Sequence, residues 1–171
     1  MSESEWFRTQ LLTGLDPLER AIEQVPESRR CAAPPSGVGE LALGERTVAR
    51  HVFHLLFDER TGPLPLLRWW AGGPQAGYRG PTEDDAWSGD DAVEQLLVEL
   101  RALRREQADL VAAIEPSGWD EVRSTPWGEV PLRWIMTKTL QHTYEHTHDV
   151  LSLGLYWGWV ESRLAGADVS A

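Results

Sequence analysis

The sequence predicts an all-α protein: a four-helix bundle with long loops and extra short helices. Two observations carry this. Apolar residues recur at three- and four-residue steps in four separate stretches, joined by Gly-, Pro- and Asp-rich segments. No run of any length alternates apolar and polar residues as a half-buried strand does.

The first stretch, Ser4 to Gln24, places Phe7, Leu11, Leu15, Leu18 and Ile22 on one face. Pro17 falls inside it and is expected to kink it or split it in two. The run PESRRCAAPPSGVG then reads as linker. A second helix follows Gly44, with Val48, Val52, Leu55 and Leu56 on its apolar side, and ends at Gly62-Pro63. LPLLRWWAGG is a short aromatic piece closed by Gly72-Gly73-Pro74, and a polar loop runs on to Asp90.

The third long helix is expected over residues 90–114. Asp90 and Asp91 at its start suit the positive end of the helix dipole, and Leu96, Leu97, Leu100, Leu103, Leu110, Val111 and Ile114 form its stripe. A fourth is expected over residues 132–153, with a last short helix in LGLYWGWVESRL. Four long helices joined by longish loops make a bundle, and 171 residues suffice for one core, read as one domain over residues 1–171.

Composition narrows the function. With 27 acidic and 16 basic residues the formal charge is −11, which repels phosphate backbones and anionic lipid, so no nucleic-acid partner is expected. No apolar run approaches the about 20 residues that span a bilayer, so no membrane role is expected. The N-terminus lacks a basic start followed by an apolar segment, and a cytoplasmic location is expected. Cys31 is the single cysteine, which excludes an internal disulfide and a Cys-rich zinc site. Nine tryptophans suit core and interface packing first and a ligand pocket second. Tyr156-Trp157-Gly158-Trp159 suits an aromatic pocket wall or a dimer seam.

All five histidines fall on two of the expected helices: His51 and His54 on the second, His142, His146 and His148 on the fourth. At about 100° per residue His146 lies about 40° from His142, in the sector of Ile135 and Leu153, whereas His148 faces elsewhere. Such an inward pair suits metal ligation from one turn of helix, and equally suits buried, hydrogen-bonded histidines. HTYEH also matches the inverted zinc-peptidase pattern H-x-x-E-H, but Glu145 falls to the side of the pair and the chain is short for a peptidase cleft.

The run RTVARHVFHLLFDE, with Thr47-Val48, His54-Leu55 and Glu59, resembles the second-helix signature of the DinB/YfiT superfamily. TPWGEVPLRWIMTKTLQHTYEHTHDVL resembles the other signature, a Gly-containing turn leading into His-x-x-x-His. The resemblance covers roughly residues 6–153. It implies a DinB-like bundle with a three-histidine divalent metal site of His54, His142 and His146, holding zinc, nickel or iron. It also implies a homodimer, and a reaction in which a low-molecular-weight thiol is joined to an electrophilic small-molecule substrate.

His51 stands as an alternative to His54 or as its support. Asp58 and Asp149 are placed to orient imidazoles or to be plain surface acids. Three neutral imidazoles leave a divalent ion its full charge and open positions, enough to lower the pKa of a bound thiol or water. Catalytic side chains are not assigned. The alternative is a stress-associated protein that holds a metal or small ligand without turnover.

Overall fold

In the computed structural model of the chain, the described residues are 1–38, 41–75, 77, 79–89 and 92–168. Ser2 caps the first helix, α1 (Glu3–Thr13). Its hydroxyl accepts from Glu5 N at 3.2 Å, and its backbone N–H donates to the Glu5 carboxylate at 2.6 Å. α1 stops at Thr13 because the Pro17 ring would meet the carbonyl of that residue in a continued helix. The chain turns at Gly14, where a Cβ would lie 2.5 Å from the Gln10 carbonyl oxygen, and resumes as α2 (Asp16–Glu23). The first expected helix is therefore two pieces.

Thr47 caps α3 (Val48–Thr61), accepting from Arg50 N at 3.0 Å, and Gly62 hands the chain to α4 (Pro63–Trp70). The following loop carries one turn of helix, α5 (Glu83–Ala86), capped by Thr82. α6 spans Val93–Ala112; its expected start at Asp90 and Asp91 lies outside the described residues. Two strands absent from the sequence reading, β1 (Val122–Thr125) and β2 (Gly128–Pro131), pair antiparallel. At four residues each they are too short to show a period of two. Gly128, at φ +98°, makes their turn.

α7 runs unbroken from Leu132 to Asp168, which corrects the expected end at Leu153 and the separate short helix after it. Gly154, just past the expected end, is a point of close approach, since a Cβ there would sit 3.0 Å from the Gln24 side chain at the end of α2. Beyond it Trp157 and Val160 bury themselves against the same core as Leu18 and Ile22, and that packing carries the helix through both glycines.

The bundle is formed by the bent α1–α2 pair, α3, α6 and α7. Its interior is layered. One apolar cluster joins Leu18, Val52, Leu55, Leu100, Leu153 and Trp157; another joins Phe7, Leu11, Leu67, Val111, Trp119, Ile135 and Met136. Between them, along α6 and α7, lie buried polar residues: Arg104, Gln107, Thr139, Thr143 and His146, faced by Glu59 of α3. Among the described residues no helix is long and apolar enough to cross a membrane.

Candidate metal centre

α3 and α7 run antiparallel, and all four inward histidines meet between them. His54 Nε2 lies 3.1 Å from His142 Nε2, which lies 3.1 Å from His146 Nε2. The outer nitrogens of these rings each have a partner. The Glu83 carboxylate accepts from His54 Nδ1 at 2.7 Å, and Asp58 lies 3.3 Å from His142 Nδ1. His146 Nδ1 is 2.7 Å from His51 Nδ1.

A ring whose Nδ1 hydrogen is given to a carboxylate presents a bare lone pair at Nε2. The partners assign that tautomer to His54 and His142, and the same tautomer at His146 donates its Nδ1–H to His51. Three lone pairs then point at one another with no hydrogen between them, an arrangement that repels unless a cation is shared. Tetrahedral ligands about 2.0–2.1 Å from one zinc ion stand about 3.3 Å apart, close to the spacing seen. The donor set fits a divalent metal: imidazoles inward, hydrogen-bond acceptors behind them.

His51 does not join the three Nε2 atoms; it supports His146 from behind. Together with His146 and Asp149 it forms a second group of ligating type, but the 2.7 Å contact between the two rings is a hydrogen-bond length. Asp58 does face an imidazole as one sequence reading had it. Asp149 is more distant, 3.8 Å from His146 Nδ1 and 4.0 Å from His51 Nδ1. His148 is solvent-facing. Glu145 is exposed: it accepts from the Gln141 amide at 2.7 Å and borders the cavity beside His54 and His142, but it makes no contact with the three Nε2 atoms.

Two residues of the site were missed in sequence. Glu83 comes from the loop 29 positions after His54, where only the cap at Thr82 hints at local order. Trp127, on the β1–β2 turn, walls a cavity of about 270 Å³ that also touches His54, Asp58, Lys138 and His142. Within the Tyr156–Trp159 run Trp157 is core, its indole N–H donating to Glu161 at 2.7 Å, and Tyr156 and Trp159 are exposed.

Burial is the first cause pushing these imidazoles down. His51 goes to about 4, with Asp149 opposing and Arg46 and His54 adding. His146 goes to about 2, with His51, His142, His54 and Arg46 all adding. His54 is lowered too, against the pull of Glu83.

An unfolded histidine titrates near 6.5. As pH falls through that value the unfolded chain takes up protons that the folded one refuses. This contribution to stability is therefore complete above about pH 6.5 and lost as pH falls toward 4. The urea midpoint of the metal-free protein is expected to drop between about pH 7 and 5, above the carboxylate range, and to drop less in His51→Gln. A flat midpoint in the parent over that window would contradict it.

A match to the DinB superfamily covers residues 10–150. The chain belongs to the DinB superfamily. The match runs from the last turn of α1 through the first half of α7 and includes every residue of the histidine cluster. No curated protein matches the chain. Membership accords with the all-α bundle, and the cluster is able to coordinate a metal ion, as expected for a DinB-like protein.

Proposed function

We propose that this DinB-superfamily protein is a divalent-metal-dependent enzyme that joins a low-molecular-weight thiol to an electrophile. His54, His142 and His146 hold the metal. The observation that carries the reading is the convergence of three Nε2 atoms whose rings are oriented from behind by Glu83, Asp58 and His51. A divalent ion bound there supplies positive charge that lowers the pKa of a thiol near neutral pH.

The rest falls to the chain. Glu83 and Asp58 lock two imidazoles by accepting their Nδ1 hydrogens. Trp127 shields one side of the cavity beside His54 and His142, and Lys138 and Glu145, 3.8 Å apart, border the same cavity. The one cysteine, Cys31, lines a different cavity, with Arg50 and Trp87, so the nucleophile is supplied from outside.

Homodimerisation belongs to the same reading. It is supported by an exposed apolar face along α7 that includes Tyr144, Leu151, Leu155 and Trp159. A cytoplasmic location rests on the sequence argument alone.

One observation favours the non-catalytic reading. A mainly apolar cavity of about 670 Å³, lined by Trp6, Leu140 and Tyr144, touches none of the three histidines and suits a small apolar ligand held without reaction.

Metal-loaded protein given N-acetylcysteine and 1-chloro-2,4-dinitrobenzene is expected to release the thioether faster than the protein-free mixture. Chelator-stripped protein and His142→Ala are expected to lose that acceleration. Metal uptake with no acceleration for any thiol and electrophile tried would favour the binding role.

A further inference from the structure

We propose that Trp127 determines specificity: its indole seats a flat, apolar group of the electrophile, an aromatic ring or conjugated double bond, beside the metal-held thiol. The inference rests on the metal reading of His54, His142 and His146 and adds the chemical class of what reacts there.

The cavity of about 270 Å³ beside the cluster touches two of the three converging imidazoles, His54 and His142. Pro63, Trp127 and Ile135 line it as well. Ile135 lies two turns before His142 on α7, about 10 Å away along the helix axis, and Pro63 lies beyond the far end of α3 from His54. The cavity therefore has a metal end and an apolar end, and a ligand lying along it meets both.

The polar groups around it are engaged with one another. Asp58 lies 3.3 Å from His142 Nδ1, and the Thr139 hydroxyl donates to the Ile135 carbonyl at 2.9 Å. Lys138 and Glu145 face each other at 3.8 Å. A charged ligand finds no unpaired countercharge among them, so the surface on offer is the apolar end.

Trp127 keeps 41 % of its surface exposed, yet it is held in place. Its amide donates to the Thr125 hydroxyl at 3.2 Å, and that hydroxyl donates to the Gly128 carbonyl at 2.9 Å. Arg123 of β1 ties the hairpin to α4 by donating to the Trp69 carbonyl at 2.8 Å. The indole edge reaches over Gly62, where a Cβ would lie 3.0 Å from Cη2 and 3.3 Å from Cζ2. A side chain at that position would have to shift the ring.

Core packing does not call for this arrangement. Trp127 joins neither apolar cluster, and the turn that carries it, residues 126–128, is exposed. An indole left partly open on a braced turn, beside a cavity that reaches the metal ligands, is suited to stack on a flat ligand. Pockets for drug-sized ligands run to about 300–1,000 Å³, so this smaller one suits a single ring on a short tether.

The test uses the full chain loaded with cobalt(II) and phenylalkanethiols of increasing tether length, each beside the alkanethiol that lacks the ring. In these probes the sulfur takes the metal and the ring takes the electrophile's place. Binding is read from the thiolate-to-cobalt absorption band. At one tether length or more the ring is expected to tighten binding about 10-fold, the worth of burying it against an aromatic face. Trp127→Ala is expected to cut that gain to about twofold, with cobalt uptake and the ring-free thiols unchanged, and Trp127→Phe to keep part of it.

No gain from the ring at any length, a gain that survives Trp127→Ala, or equal weakening of ringed and ring-free thiols in that variant would overturn the Trp127 subsite alone. Cobalt and thiol binding would still support the metal reading. Failure to take up cobalt, or bound cobalt that accepts none of these thiols, would overturn the reading on which the subsite rests.

Discussion

Arg104→Met is expected to destabilise the protein by about 3–5 kcal/mol, whereas the double variant Arg104→Met with Glu59→Leu is expected to fold about as stably as the parent. Both residues are about 1 % exposed. Arg104 Nη2 donates to Glu59 at 2.5 Å and to the Thr143 hydroxyl at 2.5 Å, joining α3, α6 and α7 through one guanidinium. Burial pushes the Glu59 carboxyl up and Arg104 pulls it back.

Take the arginine away and a carboxylate is left in the core with no countercharge and no water. Take both away and that penalty disappears, together with the desolvation of Glu59 Oε2 and Arg104 Nε and Nη1, which are buried without partners. Urea unfolding of the two variants checks the pair. A single variant within about 1 kcal/mol of the parent would show that the ion pair is not closed to solvent.

This buried pair marks where sequence reasoning stops. The apolar stripe of α6 was legible from Leu96, Leu100, Leu103 and Val111, but nothing in that pattern marks Arg104 and Gln107 as buried. Their burial follows from Glu59 and Thr143 on other helices, which a pattern along one helix does not encode.

The cluster itself divides in the same way. His142 and His146 were legible because one helix turn aligns them, and His54 followed from resemblance. His51 and His54, three positions apart, share a face, and spacing leaves open which of them turns its Nε2 toward α7. Glu83 was invisible, since a loop residue far along the chain joins the site through tertiary packing. The length of α7 was misread for a related reason: nothing along the sequence shows that the end of α2 packs at Gly154 and that Trp157 and Val160 beyond it are core.

Loss of the metal from His54→Ala and His142→Ala is the second large effect expected. Replacing an outer partner of a ligating histidine weakens metal binding about 10- to 100-fold, and removing one of three ligands outright should cost more. Each alanine deletes one of the three converging lone pairs and leaves two, from different helices in His142→Ala and from one turn of α7 in His54→Ala. The bundle core is untouched by either change, because both rings sit in the groove between α3 and α7 rather than in an apolar cluster.

Elemental analysis of the purified protein beside these two variants therefore tests the central claim most directly. The account predicts roughly one zinc, nickel or iron ion per chain in the parent, and almost none in either variant at unchanged helix content. A parent protein that holds no metal, even after dialysis against each of these ions, would contradict it.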